Sequence, residues 1–298
     1  MNVINSIKTK IKGNGNKLTK GEKVAHAVFF VIFLIEALSL LSIFVWMGIN
    51  SLKEWNEYEI DSTFTFPKKA MWSNYVQAFR DLNDADTSFF GLIFNSVWYT
   101  VAYSVLGALV PAFTGYILSK YDFKLRSLIF TTAITSMMVP IVGNTASNLK
   151  LIGELQLYNS PLYVFITGLG GFGGTFLVYY GFFKNVSWSY AEAVQIDGGG
   201  DYTILFRIML PQAAPIILTY IITGAIAGWN DYETMILYTP KLPTLASGLY
   251  SFQANNMRSL NYPVYIAGLL ISMVPSVALF AAFANKIMTS ISLGGLKG

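Results

Sequence analysis

The residues with the most to offer chemically lie close together. Glu192-Ala193-Val194 is followed by Gly198 and then by Ile208-Met209-Leu210-Pro211, which gives the spacing E-A-V-x3-G-x9-I-x-L-P. A carboxylate on a short helix-forming stretch can cap its own helix, and Ser189-x-x-Glu192 has the spacing of a capping box. It can also present its charge to another polypeptide. The stretch is polar and broken by glycine, yet it lies between two apolar segments each long enough to cross a bilayer. Such a sequence must lie in water against something.

Covalent chemistry has little to work with. There is no cysteine, and His26 is the sole histidine, so disulfides, Cys-ligated zinc and a His-based triad are not expected. No nucleophile–base pair, metal site or resident cofactor is expected either. Gly168-x-Gly170-x-x-Gly173 has the spacing of a dinucleotide fingerprint but falls inside an apolar segment with no strand–helix unit. Gly168-x4-Gly173-Gly174-Thr175 lacks the lysine of a phosphate-binding loop, so the chain is expected to bind no nucleotide itself. Gly170-x3-Gly174 and Gly224-x3-Gly228 are instead expected to put small residues on one helix face, where two backbones can approach.

The elements that position these residues follow from composition. Of 298 residues, 54% are hydrophobic and 12% charged, against about 25% charged in a soluble domain. The chain reads as an all-α, polytopic membrane protein. Apolar spans are expected at 24–49, 91–118, 128–147, 161–183, 212–238 and 264–287, each reaching the ~20 residues that cross about 30 Å of hydrocarbon. Residues 1–23 form a basic segment ahead of a transmembrane domain at 24–298. Lys8, Lys10, Lys12, Lys17, Lys20 and Lys23 precede the first span. That span is longer than the apolar core of a secretory signal and has no small-residue cleavage site after it, so it is expected to be retained.

Six spans put both termini on one side. With the N-terminus inside, the outer cations are Lys53, Lys68, Lys69, Arg80, Lys150, Lys241 and Arg258. The remaining Lys and Arg concentrate on the inner side, and this asymmetry predicts an N-in, C-in topology. The loop at 184–211 is then cytosolic. Ser187 and Ser189 are expected to cap a first helix running to about Ile196, and Gly198-Gly199-Gly200 to end it. Asp201 is expected to cap a second helix, with Tyr202, Leu205, Phe206 and Met209 on one face. Pro211 marks the expected turn into the fifth span.

Glu36, Asp231 and Glu233 fall inside these spans, where a carboxylate costs at least ~2.5 kcal/mol and normally faces a cavity, a partner helix or the interface. Trp229, Asn230, Asp231 and Tyr232 combine aromatic faces with hydroxyl-bonding groups. They suit either a carbohydrate path or an interfacial belt. The outer segment 50–90 is acidic and rich in aromatics, and is expected to cover a partner subunit or meet a binding protein.

The full spacing resembles the EAA loop of the inner-membrane permease subunits of ATP-binding-cassette importers, E-A-A-x3-G-x9-I-x-L-P. Val194 stands at the second alanine, and Gly199 replaces an alanine common after the Asp-Gly pair. Asn95-Ser96, Met138-Val139-Pro140, Trp229-Asn230-Asp231-Tyr232 and the ending Gly294-Gly295-Leu296-Lys297-Gly298 resemble the maltose-type, carbohydrate-uptake branch, and in particular its smaller six-span permease. The resemblance implies a type I importer permease fold and a non-catalytic subunit in a bacterial inner membrane, in contact with lipid and with no nucleic-acid partner. It implies a homologous second permease, two cytosolic ATPase subunits that hold ATP and Mg, an extracytoplasmic solute-binding protein and a carbohydrate substrate, most simply an oligosaccharide.

The resemblance also implies roles for residues. Glu192, Ala193, Val194, Asp197 and Gly198 would couple to the ATPase. Gln253, Asn255, Asn256 and Arg258, at the tip of the outer loop 239–262, would contact the binding protein. Gly295, Leu296, Lys297 and Gly298 would approach the ATPases. The competing readings are a permease for a non-sugar solute and an ion-coupled secondary transporter acting through Glu36, Asp231 or Glu233. The latter class often shows internal repeats, and none is evident here.

Overall fold

A computed structural model describes residues 19–81, 87–139, 143–255 and 260–295, with backbone only at 279 and 284–295. Asn256, Arg258, Leu296, Lys297, Gly298 and Pro140 lie outside the described residues, as do residues 1–18. Among the described residues every regular element is helical.

Helix α1, Lys20–Ser51, starts with a capping box: the Thr19 hydroxyl accepts from Glu22 N and the Glu22 carboxylate from Thr19 N. It is apolar around its whole circumference, and only its C-terminal turn, Asn50 and Ser51, is buried. That turn anchors the segment after it. Asn50 Nδ2 donates to Thr63 O, Asn74 Nδ2 donates to Ser51 O and Lys53 O, and the buried Lys53 ammonium donates to Ser62 O at 2.9 Å. Buried polar groups need such partners, and here they fold 51–75 into a cap holding the short helices α2, Trp55–Ile60, and α3, Ser73–Asp81.

Helix α4, Phe89–Lys120, is the axis of the bundle, with buried residues along its whole length. Helix α10, Asp201–Asn230, packs along one side of it. Small residues make that possible. A Cβ on Gly224 would sit 3.2 Å from Ser104 Cα, and one on Gly228 would sit 3.1 Å from the Tyr103 ring. On another side α8, Gly174–Asn185, approaches so closely that a Cβ on Gly115 would lie 2.8 Å from Tyr179 Cβ. The Gly224/Gly228 face therefore packs as its spacing predicts.

Gly170 and Gly174 do not share a helix face. Gly170 lies in a break between α7, Leu162–Gly168, and α8, of which Gly174 is the first residue. Gly173, at φ 149°, makes the chain turn there, and the close approaches belong to Gly168 against Leu106 and Gly171 against Thr114. The segment expected as one span at 161–183 is thus two helices. The segment at 128–147 is divided too, into α5, Arg126–Met138, and the start of α6, Thr145–Glu154. Val139, which precedes Pro140, is extended (φ −79°, ψ 114°), as the clash with a following proline ring requires. Helices α1, α4, α10 and the first part of α13 (Tyr262–Gly295) are long and apolar enough to cross a membrane.

Two further elements depart from expectation. No turn separates the loop from the fifth span. α10 runs from Asp201 through a π-helical stretch at Ile204–Met209 and onward past Pro211. Proline lacks an N–H and displaces the carbonyl one turn back, and the wider turn absorbs this without a break. At its far end α10 stops at Asn230, and α11, Glu233–Tyr238, follows. The outer loop 239–262 contains α12, Leu245–Asn255, with Leu245 and Leu249 in a core with Phe89, Leu92 and Trp229. Asn95 Nδ2 donates to Pro243 O and Leu245 N donates to Ser96 Oγ, tying it to the start of α4.

The α4–α10 contact is directly testable. Gly224→Val should lower stability by about 1–3 kcal/mol, read as the thermal midpoint of the detergent-solubilised protein. An unchanged midpoint would show that the helices do not approach as closely as described.

Candidate functional site

Helix α9, Ser189–Ile196, stands at the end of the bundle where α4 finishes and α10 begins. Its start differs from expectation. Trp188 is the cap residue and is itself helical (φ −69°, ψ −18°), so no side chain caps the helix and Ser189 is already its first residue. The two serines turn to each other, Oγ to Oγ 2.7 Å. The capping box with Glu192 is therefore not formed. The Glu192 carboxylate is exposed and has no hydrogen-bond or ion-pair partner among the described residues.

The end of α9 is a Schellman motif. Gly199 N donates to Val194 O at 2.8 Å and Gly198 N to Gln195 O at 3.0 Å, with Gly198 at φ 80°. This is the reversal expected of the glycine run. Asp197 is the last half-turn residue and is exposed. The two departures from the E-A-A spacing prove to touch each other. A Cβ on Gly199 would sit 2.5 Å from Val194 Cγ1, so the larger residue at one position occupies the volume vacated at the other.

The inner face of α9 is fixed. Ala191 is fully buried in a core with Phe183, Ile204 and Met209. Asp201 does not cap; Gly200 does, and Asp201 is the first helical residue. Its carboxylate instead accepts from the Tyr121 hydroxyl at 2.9 Å, whose ring meets the edge of Trp188. Burial, and then the bonds to Tyr116 and Asp201, raise the Tyr121 pKa well above its ordinary value, so it remains a donor. Lys120 Nζ donates to Val186 O. Both ends of α9 are thus tied to the end of α4. The outer face is left to solvent: Tyr190, Glu192, Ala193, Gln195 and Ile196, the last 86% exposed.

At mid-bundle, α4, α7 and α10 enclose a half-open cavity of about 480 Å³. Tyr99, Tyr103 and Gly107 line it from α4, Tyr163 and Thr167 from α7, and Tyr220, Thr223 and Ala227 from α10. Trp229, Asn230, Asp231 and Tyr232 do not line it. Trp229 is buried, its Nε1 donating to Ser272 O; Asn230 Nδ2 donates to Ile226 O; Tyr232 stacks on Tyr250 at 4.9 Å. Asp231 sits one bond behind the wall, accepting from Tyr99 Oη at 2.5 Å and from Thr234 N at 3.1 Å. The lining residues were legible as stripes of hydroxyl and small residues at i, i+4, i+8 in Tyr99-x3-Tyr103-x3-Gly107 and at i, i+3, i+7 in Tyr220-x2-Thr223-x3-Ala227. Nothing in one stripe indicates that it faces the other.

Glu36 is exposed on α1, and Glu233 opens α11. Gln253 and Asn255 are exposed at the end of α12, where Tyr265 Oη donates to Gln253 Oε1. Gly295 is the last described residue of α13.

Residues 107–287, which include the second part of α4, the α7 and α10 sides of the cavity and all of α9, match the family model for the inner membrane component of binding-protein-dependent transport systems. The chain belongs to this family. As such a component it is a multi-pass membrane protein, and its role is transport rather than catalysis. It is similar to the diacetylchitobiose uptake system permease protein NgcG of Streptomyces coelicolor, 24% identical over 91% of this chain and 87% of that one. It is also similar to the arabinooligosaccharides transport system permease protein AraQ of Halalkalibacterium halodurans, 29% identical over 68% and 73%. Its fold is that of a chain in the crystal structure of a bacterial ABC transporter importing the acidic polysaccharide alginate, with TM-score 0.71 and 22% identity over 90% and 98%.

The matched pair in this transport component is open to a double-mutant cycle. Gly199→Ala should cost about 1–3 kcal/mol through overpacking, and Val194→Ala in the same chain should restore most of it. Losses that simply add would show that the two positions are independent.

Proposed function

We propose that the chain is one of two permease subunits of an ATP-driven importer of a carbohydrate, and that α9 is the helix through which a cytosolic ATPase moves it. The uptake of oligosaccharides by its relatives supports the substrate class. The observation that carries the coupling role is α9 itself, held rigidly on one face and bare on the other. Its carboxylate has no internal use. A base on a docked ATPase would supply the missing partner. A pair of that kind mainly fixes register, because desolvation offsets much of the attraction.

The path from lever to substrate runs through α10. The α9 core includes Ile204 and Met209 of α10. From there α10 continues for 30 residues in all, about 45 Å at ~1.5 Å per residue. It flanks the cavity and ends beside Asp231, which holds Tyr99. A shift imposed on α9 therefore reaches the cavity wall through one continuous helix, closely packed on α4.

The implied assembly pairs this chain with a homologous permease, two ATPases that hold ATP and Mg, and an extracytoplasmic binding protein. α9 and both termini face the cytosol, and Gln253 and Asn255 face the binding protein. Glu192→Lys reverses the charge at an exposed site, so stability should change by no more than ~0.5 kcal/mol. In proteoliposomes holding the full assembly, substrate uptake should be lost or fall far below ATP hydrolysis. Normal uptake by this variant would reject the coupling role.

A further inference from the structure

We propose that the cavity between α4, α7 and α10 is itself a saccharide site, and that it accepts neutral sugars while rejecting anionic ones. The inference rests on the permease reading and assigns a substrate class to a specific wall of this subunit. The volume, about 480 Å³, lies within the ~300–1,000 Å³ of ordinary small-ligand sites. Tyrosine rings supply flat apolar faces for the C–H faces of a sugar ring: Tyr99 and Tyr103 lie 5.8 Å apart, and Tyr163 is held in place by stacking on Tyr238.

The direction of the hydrogen bonds sets the charge preference. Thr167 Oγ1 donates to Tyr163 O at 2.7 Å, Thr223 Oγ1 to Thr219 O at 2.9 Å and Ser104 Oγ to Val101 O at 3.3 Å. Tyr99 Oη gives its proton to Asp231. Each of these hydroxyls has spent its proton on the protein and has only lone pairs left to offer a ligand. A neutral polyol, whose hydroxyls both donate and accept, can use those lone pairs and take protons from the phenols of Tyr103 and Tyr220. A carboxylate, phosphate or sulfonate can only accept. It could draw on those two phenols but on none of the four committed hydroxyls, and it would meet no Lys or Arg in the lining and the Asp231 carboxylate one bond behind Tyr99. Burying an anion without a counter-charge is strongly unfavourable, so the site discriminates by the cation it withholds.

The test uses the whole transporter in nanodiscs, without binding protein, and measures binding of labelled arabinotriose, diacetylchitobiose and trimannuronate. At least one neutral probe should bind, and trimannuronate should not compete with it. Tyr103→Phe/Tyr220→Phe, which removes two hydroxyls and keeps both rings, should weaken that binding on the order of tenfold. Thr223→Lys should let trimannuronate bind. Failure of every neutral probe to bind, unchanged affinity in the double Phe variant, or trimannuronate binding as tightly as the neutral sugars to the unmutated protein would each overturn the proposal. Co-purification of ATPase subunits and binding-protein-stimulated ATP hydrolysis by the unmutated assembly report on the permease reading separately.

Discussion

The fixed joint between α9 and the bundle is the constraint on which the remaining structure depends. An eight-residue helix is far too short to be stable alone in water. It persists because Ala191 is buried against the ends of α4, α8 and α10 and because the Tyr121–Asp201 and Lys120–Val186 hydrogen bonds tie the segments on either side of it to the end of α4. Exposure of the opposite face costs little, since that face is charged or small apart from Tyr190 and Ile196. A helix free on both sides could dock but could not push. One buried on both sides could push but not dock.

The same logic of close approach operates along α4. In a bilayer, helices gain little from hiding apolar surface, since lipid is as apolar as the partner helix. Gly115, Gly224 and Gly228 let two neighbours come within backbone contact of α4, and that contact holds α10 firmly against it. The cavity arises where the packing gives way to hydroxyl and aromatic side chains. Rigidity and vacancy are therefore neighbours along α4 and α10.

Much of this was readable in the sequence, and what was not has identifiable causes. Hydropathy located α1, α4, α10 and α13 because an apolar run reports its solvent. It could not report backbone continuity, so it bridged the helix ends at Met138 and Gly168. The glycine run after Ile196 set the turn, because only glycine adopts φ 80° readily. The serine cap failed for a reason invisible to spacing: Trp188 is already helical, so Ser189 sits one position too far in. Asp201 fits a capping residue equally well, but tertiary structure gave it Tyr121, 80 positions away. The bond between Tyr99 and Asp231, 132 positions apart, had no local signature either. It gives Asp231, one residue past the end of α10, a partner just behind the cavity wall.

The broken helices close the argument. Irregular backbone inside a membrane leaves carbonyls and amides that lipid cannot satisfy, so it survives only where protein covers it or it lines a polar space. The break between α7 and α8 meets both conditions. Thr114 Oγ1 donates to Gly171 O at 2.7 Å, and Gly170 lies in the cavity wall. Filling that break with an unbroken helix would satisfy its backbone internally and would carry the chain past α4 instead of against it. The glycines that resemble a nucleotide loop thus have a structural reason to be there. They let the wall of the cavity be built from backbone as well as side chains, beside the long helix α10 that shares a core with α9.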